Sequence, residues 1–200
     1  MFGISYSQGR SRLIGKFIYI AGETMATQRQ PDAIAMLKDD HRKVEELFEK
    51  FETAKNAEKQ ALVKQISMEL SVHAILEEEI FYPACKGKVE DDALSEAYVE
   101  HDGAKVLIAE LEASEPSADF YDAKVKVLSE QIEHHVKEEE ARSEGVFAQA
   151  RAAGLDMDEL AARMVARKQE LLDEFKSRGL PAPETRTFTG HELEQGAPIE

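Results

Sequence analysis

A repeated pattern of histidine and glutamate constrains this chain more than any other feature. His73 is followed four residues later by Glu77, and His135 is followed four residues later by Glu139. Four residues make about one helical turn, so each pair places an imidazole and a carboxylate on one face of a helix. Both side chains of a pair are then able to reach the same ion.

Two lone histidines lie upstream of these pairs at nearly equal distances. His41 precedes His73 by 32 residues, and His101 precedes His135 by 34 residues. A separation of this size accommodates one helix, a short loop and part of an antiparallel helix. The repeat therefore predicts two similar helical hairpins that face each other across one site.

Apolar residues at helical spacing flank the first three histidines. The face shared with His41 carries Leu37, Val44, Phe48 and Phe51. The face shared with His73 carries Ile66, Leu70, Ile80 and Ala84, and the face shared with His101 carries Ala97, Tyr98, Ala104, Ile108 and Leu111. An amphipathic helix buries its apolar stripe, so this pattern predicts that all three histidines point into a core.

The fourth helix offers two adjacent histidines, each with a glutamate four residues further on. Leu128 and Ile132 lie seven and three residues before His135 and place it on the apolar stripe. His134 instead has Glu130 on its preceding turn, which places it toward an edge of the helix. The pattern favours His135 as the ligand and leaves His134 as the alternative.

These stripes predict an all-α fold, namely an up-down-up-down four-helix bundle with an additional C-terminal helix and an extended tail. The predicted bundle helices span about residues 32–53, 57–85, 91–113 and 117–150. The predicted organisation is a flexible N-terminal extension over 1–30, the bundle over 31–152, a helix packing on the bundle over 153–178, and the tail over 179–200. His191 lies in that tail and is not expected to be a ligand.

Charge and composition argue against several classes of function. The chain has 40 acidic and 25 basic residues and a net charge of −15, which opposes binding to nucleic acid or to an anionic membrane surface. No stretch approaches the roughly 18 to 20 apolar residues that span a membrane. The single cysteine, Cys85, excludes an intramolecular disulfide and is typical of a reducing compartment. The sequence predicts a cytoplasmic protein and does not identify a protein partner.

The ligand types indicate which metals such a site would bind. Imidazoles and carboxylates together favour iron, manganese or zinc, whereas calcium and magnesium prefer oxygen ligands alone. Two repeats favour two ions, because the carboxylates of Glu77 and Glu139 each carry two oxygens and are able to bridge. The four histidines would cap the two ions and leave positions open for oxygen, peroxide or nitric oxide. Without a metal, several buried polar groups would cost roughly a few kcal/mol each.

Residues 33 to 150 resemble the hemerythrin HHE cation-binding family. The motifs that carry the resemblance are Asp40-His41, His73-Ala-Ile-Leu-Glu77-Glu-Glu-Ile-Phe-Tyr-Pro83, Glu100-His101 and His134-His135-Val-Lys-Glu138-Glu139-Glu140. The resemblance implies a four-helix bundle that holds two non-haem iron ions and binds or reacts with oxygen species. Carried over residue by residue, it implies as iron ligands His41, His73, Glu77, His101, His135 and Glu139.

The chain departs from the oxygen-carrying members of that family at one position. The resemblance implies that those proteins have a second histidine four residues after the histidine of the third helix. The third-helix histidine of this chain is His101, and Lys105 stands four residues after it. A water, Tyr98 or His134 is expected to substitute for the absent ligand, or the iron stays more open. Two groups of neighbouring residues receive an ordinary structural interpretation. Exposed charges are expected at Glu78, Glu79, Glu138 and Glu140, and aromatics at the edge of the core at Tyr82 and Tyr98.

Three functions remain open at this point. The first is a protein that binds or senses oxygen or nitric oxide at a His/Glu-ligated di-iron centre, and it is slightly favoured. The second is a di-iron enzyme that removes hydrogen peroxide or nitric oxide under stress, and the third is a protein that only holds iron. An open coordination position makes peroxide turnover easier than reversible oxygen carriage. Whether the protein is an enzyme is therefore not decided by its sequence.

Overall fold

The computed structural model describes residues 31–188, and all regular secondary structure in that range is helical. The predicted all-α fold is confirmed there. The helices are α1 Ala33–Thr53, α2 Asn56–Leu76, a π-helical turn Glu77–Phe81, α3 Tyr82–Cys85, α4 Asp91–Glu112, α5 Tyr121–Glu139, α6 Val146–Ala152 and α7 Met157–Arg178. The predicted N-terminal extension, the last residues of the predicted tail and His191 lie outside the described residues. No helix within 31–188 has the length and apolar character needed to cross a bilayer.

Two helical hairpins and one further helix form the core. Helix α1 packs against α2, α4 packs against α5, and α7 packs on α1 and α2. The Asp32 carboxylate accepts a hydrogen bond from the Ala35 amide at 3.0 Å and so caps the start of α1. Asp32 directly follows Pro31, and its cap sets the start of the amphipathic helix α1 at Ala33.

The apolar core consists of two clusters separated by a polar layer. Along α1, Leu37 belongs to the first cluster and Val44 to the second, with His41 between them. Along α4, Ala97 and Ala104 flank His101 in the same way. The buried histidines and glutamates therefore form a layer across the middle of the molecule, held in place by packed apolar side chains on both sides.

The second helix differs from the prediction by a single wide turn. Its residues run without a break from Asn56 to Cys85, but the amide of Tyr82 donates to the carbonyl of Glu77, five residues earlier. Such π turns are rare and occur often at functional sites. This turn advances the helical register by one residue, so that Tyr82 follows Glu77 on the inner face.

The fourth helix was predicted to continue to Ala150, and this is wrong. Helix α5 ends at Glu139, the chain turns through residues 140–145, and α6 is a separate helix. The turn passes so close to the end of α5 that a Cβ on Gly145 would lie within 2.3 Å of the Glu139 carbonyl oxygen. Glycine at this position makes the close approach sterically possible.

Candidate metal centre

Four histidines, one from each bundle helix, meet in two pairs in the polar layer. The Nε2 atoms of His41 and His73 are 3.0 Å apart, and those of His101 and His135 are 3.3 Å apart. Each of these side chains is at most 7% exposed. Adjacent ligands of an octahedral ion lie about 3 Å apart when each bond is about 2.1 Å, so each pair has a spacing suited to one ion.

Two fully buried carboxylates lie between the histidine pairs. Glu77 Oε2 is 3.1 Å from Nε2 of His73 and 3.3 Å from Nε2 of His101, so one oxygen faces both pairs. Glu139 Oε2 is 3.6 Å from Nε2 of His41 and 3.5 Å from Nε2 of His135. The structure thus brings together all six residues predicted as ligands, and their role in binding metal stays a prediction.

An outer layer of carboxylates surrounds the four imidazoles and is within hydrogen-bond distance of three of them, whereas Nδ1 of His73 has no hydrogen-bond partner among the described residues. In each histidine Nε2 faces the centre and Nδ1 faces a carboxylate oxygen. The distances are 2.9 Å from His41 to Glu140, 3.8 Å from His73 to Asp40, 3.1 Å from His101 to Glu78, and 2.8 Å from His135 to Glu100. An imidazole that donates from Nδ1 leaves the Nε2 lone pair for a metal, and outer carboxylates of this kind are common around metal-ligating histidines.

The prediction that Glu78 and Glu140 are exposed charges is wrong. Glu78 is buried, and Glu140 is four-fifths buried beside His41. Each directly follows a central carboxylate, Glu77 or Glu139, in the sequence. Neighbouring positions on a helix lie about 100° apart, so the glutamate directly after each central carboxylate reaches the flank of a histidine on another helix. The doubled glutamates were the available signal for this outer layer.

Two oxygen atoms in the centre accept no hydrogen bond from the described part of the chain. They are Glu77 Oε1 and Glu139 Oε2, in side chains that are 0% and 2% exposed. Buried carboxylate oxygens without a donor are costly, and a cation is the natural compensation for them. The donor set therefore fits metal ions, because it combines two facing nitrogen pairs, a carboxylate close to both, and two buried carboxylate oxygens without a donor.

The pKa values of His73, Glu139 and His41 indicate which of these groups carry a proton when no cation is bound. Burial lowers the pKa of His73, but the Glu77 and Asp40 carboxylates outweigh it and raise that pKa to about 10. Burial raises the pKa of Glu139 to about 8, with repulsion from Glu77 acting in the same direction. Burial and the charge on His73 lower the pKa of His41 to about 4. At neutral pH protons on His73 and Glu139 thus take the place of positive metal charge.

Metal binding is therefore expected to release protons. Because the metal-free pKa values of His73 and Glu139 are about 10 and about 8, both groups carry a proton at pH 7. Metal ions need the free lone pairs, so at least these two protons leave per chain, and the raised pKa of His101 adds to the release. The apparent affinity therefore rises from about pH 6 to about pH 8. Calorimetric titration in two buffers of different ionisation enthalpy measures the release. A binding heat independent of the buffer would contradict the expectation.

Tyr82 supplies a polar group that the sequence interpretation missed. Its hydroxyl donates to Glu139 Oε1 at 2.8 Å and lies 3.3 Å from Glu77 Oε2, and its side chain is fully buried. The expectation of an aromatic at the core edge is wrong for this residue. Burial and then the two carboxylates raise the pKa of Tyr82, so the hydroxyl keeps its proton. A uniform α-helix would turn this residue away from Glu77, and the π turn brings it back.

The sequence left open whether His134 or His135 is the ligand, and what replaces a histidine at Lys105. His135 lies in the buried layer, whereas the His134 side chain is 58% exposed beside Glu138. The ammonium of Lys105 is 2.7 Å from Glu78 Oε1 and 3.2 Å from Asp102 Oδ1, outside the two clusters of facing ligands. His134 belongs to neither buried cluster of the described residues. The Tyr98 ring packs edge-to-face against Tyr82 and has the Arg186 guanidinium over its face. Tyr82 is the additional polar side chain at the centre.

Comparison with known proteins agrees with this geometry. The profile of the hemerythrin HHE cation binding domain matches residues 32–143. A DNA nickase of Nostoc sp. strain PCC 7120 is 31% identical over 107 residues, which are 53% of this chain and only 30% of that protein. A crystal structure of a hemerythrin HHE cation binding domain-containing protein from Mycobacterium kansasii superimposes with a TM-score of 0.62 and 22% identity, covering 74% of this chain and 94% of the other. The chain belongs to the hemerythrin HHE cation-binding domain family.

Proposed function

We propose that this protein is a non-haem di-iron protein that binds or senses oxygen or nitric oxide at the buried centre. The observation that carries the proposal is the convergence of two Nε2 pairs on one shared carboxylate, Glu77. The residues that would hold iron are His41, His73, Glu77, Glu139, His101 and His135. Mixed imidazole and carboxylate ligands suit iron, and bound iron supplies open, redox-active coordination positions.

The chain's own residues support such a role in three ways. The outer carboxylates keep the imidazole lone pairs directed inward. The apolar clusters cover the layer from two sides, and this low-dielectric surrounding strengthens electrostatic interactions at the centre. The hydroxyl of Tyr82 holds a proton that it donates to Glu139. These features favour a protected centre that a small neutral molecule reaches more readily than an ion does.

Removal of hydrogen peroxide is the second candidate, and Tyr82 is the observation that favours it. Cleavage of an oxygen–oxygen bond needs a proton donor close to the reacting atoms. The protonated hydroxyl of Tyr82 lies within hydrogen-bond range of both central carboxylates. We also propose that the protein acts in the cytoplasm. We do not propose DNA nicking, because the match covers 30% of the Nostoc protein and a net charge of −15 repels a polyanion.

The proposal is tested by counting iron per chain in protein loaded with ferrous iron under anaerobic conditions. We expect about two ions, one for each of the two buried ligand clusters. Oxygen or nitric oxide added afterwards should give a stable change in absorbance. Catalytic loss of peroxide without a stable adduct would favour the second candidate. Less than one iron per chain, with zinc and manganese equally absent, would overturn both.

A further inference from the structure

A large cavity opens beside the four central histidines. Its volume is about 700 Å³, and it extends from the polar layer to the groove between α2 and α4. Apolar side chains make up most of its walls, among them Val44, Leu70, Ala74, Ile108, Ile132 and Leu180. The cavity therefore joins an apolar space to the centre at which metal is expected.

The volume is much larger than the metal centre and a diatomic ligand need. A water molecule occupies about 30 Å³, so two ions with a diatomic molecule between them need roughly 100 Å³. Most of the cavity would remain empty. Sites for organic ligands are typically about 300 to 1,000 Å³ and mostly apolar, with a few polar groups. The size and the lining thus match an organic molecule instead of a gas.

The C-terminal segment 180–187 closes the outer side of this cavity. Residues Leu180 to Pro183 form part of its wall. Asp102, which is 1% exposed, accepts hydrogen bonds from the Arg186 amide at 2.7 Å and from the Thr187 amide and hydroxyl at 2.6 Å and 2.8 Å. The Lys105 ammonium also donates to the Glu184 carbonyl at 3.3 Å. A space covered in this way admits a small molecule and excludes a folded partner.

The side-chain charges away from the histidines disfavour an anionic ligand. Five acidic side chains line it, namely Asp40, Glu78, Glu79, Glu112 and Glu184. The two basic side chains that line it, Lys105 and Arg186, both lie within ion-pair distance of Glu78. In this part of the cavity, away from the histidines and any metal they hold, a carboxylate or phosphate would meet an excess of like charge without an unpaired cation. An apolar wall gives a hydrophilic cation little to bind.

From these observations we propose that the cavity binds a neutral, predominantly apolar organic molecule beside the metal centre. The alkyl part lies against Ile108, Leu70 and Ile132, and burial of apolar surface provides the affinity. This site goes beyond the binding of oxygen or nitric oxide, and it does not depend on the identity of the metal.

The test uses Nile red, a neutral fluorescent dye, and the iron-loaded full-length chain. Replacing Ile108 by Phe should fill the cavity and weaken dye binding about tenfold or more. The matched control is Val106→Phe, because Val106 is 43% exposed on the same helix. The Val106→Phe control should bind the dye as the wild type does. Both Ile108→Phe and Val106→Phe should retain the wild-type iron content. Ala74→Leu fills the cavity from the opposite wall and provides a second test if the Ile108→Phe protein does not fold.

Competition identifies the chemical class of the ligand. Measured on the metal-free full-length chain, in which no ion is present to bind a carboxylate, neutral 1-decanol should displace the dye, and decanoate of the same length should do so at least about tenfold more weakly. Undiminished dye binding by both filling variants, or better displacement by decanoate, would overturn the proposal. A chain that binds the dye as expected but holds no iron would refute the proposed di-iron function and leave the organic site standing.

Discussion

Replacing Glu77 by Gln should remove nearly all bound metal while the chain stays folded. Glu77 faces both histidine pairs, so an amide at this position weakens both clusters at once. At a free metal concentration 100 times the dissociation constant, metal binding adds about 2.7 kcal/mol to the free energy of unfolding. For a chain of this size that corresponds to roughly 5 to 10 °C in Tm. The wild type should gain this increment with iron, and Glu77→Gln should not.

Glu79→Gln is the matched control for that experiment. Glu79 lies two residues further on, is exposed, and forms an ion pair with Arg167 at 2.7 Å. Loss of a surface pair costs little, so the control should keep its metal and its gain in Tm. Elemental analysis and thermal unfolding with and without iron measure both quantities. A Glu77→Gln protein with the metal content of the wild type would contradict the assignment of Glu77 as a shared ligand.

His135→Ala should reduce the metal content by about half, whereas His134→Ala should leave it unchanged. Removal of His135 leaves the second cluster with only Glu77 and His101, but the first cluster keeps all four of its ligands. His134 is exposed and lies outside both buried clusters. The two variants differ by one position on the same helix, so general effects on α5 are matched.

Metal analysis of this pair also decides between the two adjacent histidines. Loss of metal in His134→Ala together with full retention in His135→Ala would show that α5 presents its other face to the centre. Equal loss in both would point to a structural effect on the helix instead of a change in coordination. Circular dichroism of the metal-free variants separates these two outcomes.

The sequence predicted the parts of the fold that rest on helical periodicity. The apolar stripes of α1 and α4 placed His41 and His101 between buried neighbours, and the structure has them there. The two His-x-x-x-Glu units placed four of the six central residues, because a regular helix keeps residues four apart on one face, and the nearly equal upstream spacings of His41 and His101 placed the other two. The same periodicity distinguished His135 from His134 at the polar layer.

Features that depend on irregular backbone were not predictable in the same way. The π turn shifts Tyr82 onto the inner face, and no periodic pattern in the sequence records that shift. The end of α5 depends on a close approach of Gly145 to the helix terminus, which is a contact between non-adjacent turns. The attachment of segment 180–187 to Asp102 uses backbone amides, which every residue except proline carries.

The wide turn after Glu77 has a consequence for comparing sequences within the family. A relative with a regular helix at this point would need one residue fewer between the shared carboxylate and the aromatic hydroxyl to keep both directed at the metal. Alignments should then require a single-residue gap between positions 77 and 82, and matching tyrosines by residue count alone would pair chemically different side chains. Deleting one of the four residues between Glu77 and Tyr82 should likewise convert the wide turn into a regular α-helical turn and keep the tyrosine on the inner face.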